Sequence, residues 1–353
     1  MKLSFENIDD DKEWDEYVNE LPEYSFLNSS ARYQYNIGVG IKAIRYVIKK
    51  DEKFVGIITG NIGDSKLFGK FLDCKHSPML LDDGTKEVWS ETTDFCKDLS
   101  KKNNCFMFRF SPLYIENNVL MDLYQNKHFV EAPIHNVDSL ISQHIDLRKE
   151  FEALKSDLSP SRRNMLNKLS KMPEIEVKIF NDDSQFDVFE KLHEQTVALK
   201  GYTDKSTKLL LAELRKQVEY GMCYMVIGYY NGEPISVWQN TVFGRNMHLY
   251  QACSSTEFRE KNMIITPILY WKSVELGKEL GCSTYDLFGG VTPKGWEEKK
   301  HPWSGVGEFK RSLGGEKITY LHSRDYPIKT LKYWIYYIYS ALRTRLKGYT
   351  IKW

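Results

Sequence analysis

The feature that most constrains this 353-residue chain is an order of local signals that occurs twice. In the second half, residues 223–230 form a run of strand-forming side chains. Asn231-Gly232 then supplies the two residues that a type I′ turn needs at positive φ, and residues 235–242 form the returning run. A further strand, residues 247–252, follows a Gly244-Arg245-Asn246 turn. Ile265, Leu269, Leu276 and Leu280 mark one face of a helix that Gly281 stops, and residues 282–287 read again as strand. The first half repeats this order. Residues 45–50 and 54–59 flank an Asp51-Glu52-Lys53 turn. Val88, Thr92, Phe95 and Leu99 mark a helix closed by Lys101-Lys102, and residues 105–110 form a buried strand ended by Ser111-Pro112. The offset is nearly constant: 282 − 105 = 177 between Cys105 and Cys282, and 226 − 47 = 179 between Val47 and Val226. Hairpin, helix and strand kept in register over that distance indicate a duplication.

The flanking segments are helical. Trp14, Tyr17 and Leu21 share a face over residues 10–21. Ser159-Pro160 begins a helix with Ser as N-cap and Pro in the first turn, and two more, near 183–200 and 206–220, end at Gly201 and Gly221. The junction between the halves is expected near residues 145–158.

Hydrophobic residues at 42% and charged residues at 27% are globular proportions, and the length suits two domains. A net charge of +1 supplies no whole-molecule attraction to nucleic acid or membrane, so any such partner needs a local patch. The six cysteines are scattered, with no C-x-x-C pair and no histidines at metal spacing. They read as reduced core residues, with no metal expected. Residues 1–7 hold no apolar signal core, and no run of about 18 apolar residues exists. A soluble cytoplasmic protein is the expectation.

The doubled strand–hairpin–helix–strand unit resembles the core of GNAT-type acyltransferases. In that fold an amine attacks an activated carbonyl held where two neighbouring strands part, and backbone N–H groups stabilise the oxyanion. The sharpest segment is Tyr285-Asp286-Leu287-Phe288-Gly289-Gly290, followed by Gly305-Val306-Gly307-Glu308-Phe309-Lys310-Arg311-Ser312-Leu313-Gly314-Gly315. It resembles the FemABX family, whose pattern sets a Tyr-Asp and a Gly-Gly before a variable loop and then G-x-x-x-F-K-x-x-F-G-G. Leu313 stands here for the second Phe. Leu158-Ser159-Pro160-Ser161-Arg162-Arg163 is similar to the basic helix start of that family's second domain, and Trp14 and Phe26-Leu27-Asn28-Ser29 to its N-terminal signals.

The resemblance implies an α/β protein of two tandem GNAT-like domains, each a mixed, mostly antiparallel sheet flanked by helices. Domain 1 would be residues 1–150 completed by 320–353, and domain 2 residues 151–319. It implies an aminoacyltransferase that moves an amino acid from aminoacyl-tRNA to an amine of a peptidoglycan precursor stem peptide, UDP-linked or lipid-linked. No cofactor beyond the tRNA co-substrate is expected. Lys310 would stabilise the oxyanion or touch substrate phosphate, and Asp286 would steady the amine. Phe309, Tyr250, Gly289 and Gly290 would line the site, and Lys200, Arg162 and Arg163 would meet phosphates. Bland readings stand beside these: Lys310 as a surface lysine, Asp286 as the cap of the glycine turn, and Arg162, Arg163, Lys168 and Lys171 as a solvated helix face.

Two positions depart from the family. Ser111 stands where relatives carry an Asp after an Arg-Phe pair, and Lys200 where an Arg often meets the acceptor diphosphate. Lysine binds phosphate as a point charge, without the guanidinium fork. The halves are thus unequal, and a single working cleft is expected. Two alternatives remain open. One is an acyl-CoA-dependent N-acyltransferase acting on a sugar or small amine, although residues 253–262 lack a phosphate-cradling glycine pair. The other is a non-catalytic tRNA- or peptide-binding relative. Residues 331–347 are aromatic first and basic after. They read as a helix docked on the first domain, with peripheral membrane contact as the alternative.

Overall fold

The computed structural model describes residues 3–81, 86–115, 128–133, 140–200, 206–261, 263–289 and 304–346. The strands, in chain order, are β1 Leu3–Glu6, β2 Lys42–Lys50, β3 Lys53–Ser65, β4 Gly69–Lys75, β5 Met79–Leu80, β6 Met107–Ser111, β7 Val130–Glu131 and β8 Ile141–Asp146. They continue as β9 Ile175–Phe180, β10 Cys223–Tyr230, β11 Glu233–Phe243, β12 Asn246–Ser254, β13 Thr284–Asp286, β14 Glu316–Thr319 and β15 Arg324–Pro327. They make two sheets. One runs β1-β2-β3-β4-β6-β15-β7 with β5 on β3, and the other runs β14-β8-β13-β12-β11-β10-β9.

The duplication is visible in the pairing. In each sheet a hairpin and a third antiparallel strand lead, through a crossover helix, to a strand parallel to the third. Helix Lys86–Lys102 joins β4 to β6, and helix Thr266–Glu279 joins β12 to β13. Asn231 (φ 49°) and Gly232 (φ 81°) form the left-handed turn that their sequence demands. The first hairpin turns on Asp51 (φ 48°) and Glu52 (φ 66°), so its return strand already begins at Lys53. Helix Thr266–Glu279 ends before Gly281 at φ 74°.

Two compact units result: Met1–Ser142 with Gly289–Gly307 and Ile318–Trp353, and Gln143–Phe288 with Glu308–Lys317. The division falls inside β8, ahead of the stretch 145–158 expected from sequence, because β8 pairs with β13 in the second sheet. The first unit is held partly by ions. Arg45 is buried and meets Asp11 at 2.7 Å while donating to the carbonyls of Ile8 and Asp9. Helix Thr330–Leu346 docks in this unit through Tyr333, which packs with Phe68, Phe106 and Met107. The second unit closes around Trp238, Leu269, Tyr270, Tyr285 and Leu313. All six cysteines are buried and no disulfide joins them, and burial raises the pKa of the Cys74, Cys105 and Cys223 thiols. These are the core cysteines that the sequence indicates. Among the described residues no cluster of three His, Cys, Asp or Glu could hold a metal ion, and no helix is long and apolar enough to cross a membrane.

Candidate active site

The site is built where β12 and β13 part. The two run parallel over three residue pairs, Asn246 with Thr284, Met247 with Tyr285 and His248 with Asp286. β13 ends there, whereas β12 continues to Ser254. Just past the last pair β12 carries a bulge. Gln239 of β11 opposes Gln251 and Asn240 opposes Leu249, so Tyr250 is the extra residue. A bulge bends its strand and re-aims a side chain. The Tyr250 hydroxyl donates to the Glu213 carboxylate at 2.9 Å, and Glu213 is buried on helix Thr207–Glu219.

The chain leaving β13 turns sharply. The Asp286 carboxylate accepts the Phe288 N–H at 2.7 Å, an Asx turn that puts Phe288 at φ 53° and is followed by Gly289 at φ 81°. Gly289 N–H donates to Ser142 Oγ at 3.2 Å. The Phe288 ring meets the edges of Tyr250 and His248 at 5.8 and 5.9 Å. The Lys310 ammonium donates to the Phe288 carbonyl at 3.0 Å from helix Ser304–Arg311. Phe288 is therefore the hub that brings Asp286, Tyr250 and Lys310 together. On the far side of β13, His144 of β8 opposes Asp286, with Nε2 at 3.5 Å from the carboxylate.

Supporting contacts fix this geometry. The Tyr285 hydroxyl donates to Asn240 Oδ1 at 2.7 Å, and Asn240 donates to Ser273 at 3.1 Å, which pins β13 to β11 and the crossover helix. Burial raises the Tyr285 pKa well above the ordinary phenol value, so it remains a donor. Gly314 (φ 85°) and Gly315 (φ 80°) reverse the chain after the Lys310 helix. A Cβ on Gly315 would lie 2.3 Å from the His144 carbonyl, so this glycine lets the turn approach β8.

The other sequence candidates sit differently. Phe309 packs its edge on Trp238 at 6.0 Å and carries the Arg162 guanidinium over its face at 5.2 Å. Arg162 also donates to Ser312 Oγ at 3.0 Å, and burial pulls its pKa below the usual arginine value. It braces the Lys310 helix. Arg163 donates to the Ser156 carbonyl at 3.3 Å. Lys168 and Lys171 are exposed. Lys200 is the last residue of helix Phe186–Lys200. On the same helix Thr196 accepts the Ser254 N–H at 3.1 Å, near the end of β12. Gly290 lies outside the described residues. Sequence reading did not single out Glu213, Phe288 or His144. Glu213 had a readable signal, a carboxylate on the apolar face set by Leu210 and Leu214.

Residues 161–300 match the family described as acetyltransferase (GNAT) domain. No functionally curated protein has a matching sequence. Among solved structures the chain resembles FemX, with a TM-score of 0.81 at 14% identity over 96% of this chain and 100% of that one. It also resembles a tandem GNAT protein from the clavulanic acid biosynthesis pathway, with a TM-score of 0.58 at 10% identity over 93% and 99% of the two chains. L-PGS from Bacillus licheniformis gives a TM-score of 0.57 at 13% identity over 96% and 97%. The chain thus has a FemX-like tandem GNAT fold, and its second half contains the matched GNAT domain.

Proposed function

We propose that this protein is an aminoacyltransferase that takes an amino acid from aminoacyl-tRNA and joins it to an amine of a peptidoglycan precursor stem peptide. The observation that carries the reading is the Lys310 ammonium held on the Phe288 carbonyl, beside the parting of β12 and β13. An acyl ester lying along the opened edge of β12 would place its carbonyl oxygen near this cation. The amine nitrogen attacks the carbonyl carbon, the N–C bond forms and the ester C–O bond breaks. The proton shed by nitrogen ends on the ribose hydroxyl that leaves. Lys310 donates to the oxyanion, and Asp286 holds the amine before attack. Because the ester is already activated, positioning and charge stabilisation suffice. The likeness to FemX in fold, and the Phe309-Lys310 motif, support this donor class.

The test offers the purified chain a radiolabelled aminoacyl-tRNA or a radiolabelled acyl-CoA, each with a UDP-linked or a lipid-linked precursor. Label appearing in the precursor from the tRNA is expected. Transfer from acyl-CoA alone would replace the reading with that of a CoA-dependent N-acyltransferase.

A further inference from the structure

Helix Thr330–Leu346 is docked on one side and apolar on the other. At about 100° per residue, Leu331, Ile335, Ile338, Leu342 and Leu346 fall within an arc of about 80°. Tyr333 and Ser340, half a turn away, are the buried residues that dock it. The outward stripe is open: Leu331 is 78% exposed, Ile338 58%, Leu342 55% and Leu346 88%. A helix on a globular surface ordinarily turns charge, not leucine, to water.

Charge singles out what covers this face. Residues 326–346 contain no Asp or Glu, whereas Lys329, Lys332, Arg343 and Arg345 lie among them. Trp334 and Tyr339, both partly exposed, border the stripe, as interfacial aromatics do. The surface extends to the β3–β4 turn. Phe68 packs on Tyr336 and Tyr339 with centroids 5.4 Å away, and its neighbour Leu67 is 68% exposed between Lys66 and Phe68. An apolar helix stripe flanked by Lys332, Arg343 and Arg345, with no acidic residue on the helix itself, is complementary to acyl chains beneath anionic headgroups. A protein partner would have to bring both an apolar groove and a one-signed acidic rim.

We infer that this face of helix Thr330–Leu346, with the Leu67 turn, docks the protein peripherally on an anionic phospholipid surface. The inference rests on the first unit alone and is independent of the transfer reaction.

The full chain is mixed with vesicles of phosphatidylcholine, alone or with about one-third phosphatidylglycerol, and bound protein is read by sedimentation. Binding to the anionic vesicles, weakened by salt, is expected. Arg343→Gln with Arg345→Gln should weaken it about 25-fold, roughly fivefold for each cation. Ile338→Ser with Leu342→Ser should weaken it at least about tenfold while leaving the circular dichroism melt unchanged, because both residues face outward. Three results would overturn the inference. The first is an unaltered chain that stays in the supernatant with anionic vesicles. The second is binding indifferent to both variants. The third is a lipid-independent dimer in light scattering that Ile338→Ser with Leu342→Ser disperses, which would give the face to a second copy.

Discussion

The two parallel strand pairs of this chain are the same device finished in opposite ways. In the first sheet a row of three opposed residues reads Asp73 on β4, Arg109 on β6 and Asp325 on β15. In the second sheet the corresponding row reads His248 on β12, Asp286 on β13 and His144 on β8. The centre of the row has changed from a cation to an anion. In the first row Arg109 and Asp325 are buried and joined by a fork of 2.6 and 2.9 Å, with the Tyr336 and Tyr333 hydroxyls completing it at 3.2 Å. The ladder there is carried on by Ser111 N–H donating to the Ser77 carbonyl, and the Ser111 hydroxyl pairs with Ser323. In the second row the pairing with β12 ends at Asp286, while Leu287 N–H still donates to the Gln143 carbonyl on the β8 side, and the Asp286 carboxylate lies 3.5 Å from His144 Nε2. After duplication, one copy of the parting has become a lock, and the other keeps groups suited to chemistry.

The largest effect expected from this contrast is on stability in the first unit. Asp325→Ala leaves the Arg109 guanidinium buried without its fork and should cost about 3–5 kcal/mol, read by urea unfolding. Arg109→Met with Asp325→Leu should recover most of that loss, since a well-packed apolar pair replaces a buried ion pair at little cost. The protein that remains folded in Asp325→Ala should turn over normally. A fall in kcat with unchanged stability would break the comparison, because the first unit would then share in the chemistry.

The complementary effect belongs to the second unit. Lys310→Ala should lower kcat about 10²- to 10³-fold, the usual cost of one oxyanion donor. It should move the unfolding midpoint little, because Lys310 is only half-buried. Equal turnover in the variant and the parent would leave Lys310 as a brace for the Phe288 carbonyl.

The sequence makes the hairpins, crossover helices and parallel strands legible because each is coded locally, by Asn231-Gly232, by Gly281 or by apolar spacing. What it hides depends on distant partners. β8 reads Ile-Ser-Gln-His-Ile-Asp, too polar for a buried strand, yet Ser142 and Gln143 are buried against partners far along the chain, Ser142 Oγ accepting the Gly289 N–H and Gln143 Nε2 donating to the Gly314 carbonyl. β15 is four residues long, and Asp325 finds Arg109 across 216 positions. Within the site, Lys310 and Asp286 could be read from their motif. The Tyr250 bulge and the left-handed Phe288 could not, since both are set by pairing register and by one Asx hydrogen bond.

The smallest expected effect separates the units by pH. Asp15, on helix Asp11–Glu20, accepts the Ser30 N–H at 2.8 Å, and burial, reinforced by the nearby Asp11 charge, pushes its pKa up to about 6 against an ordinary 3.8. The folded state therefore binds this proton more tightly than the unfolded chain does. The stabilisation is complete below pH 3.8 and is lost as pH rises through about 6, leaving a buried charge at neutrality. Asp15→Asn keeps an oxygen for Ser30 and removes the charge. It should stabilise the protein by about 3 kcal/mol at pH 8 and by little at pH 4, flattening the slope between. Urea midpoints at each pH read this, and parallel curves for variant and parent would exclude Asp15 as the source. The pH profile of turnover should be the same in both proteins, because Asp15 lies in the first unit and the candidate site in the second. A turnover profile that moved with Asp15→Asn would mean that the two units do not titrate separately.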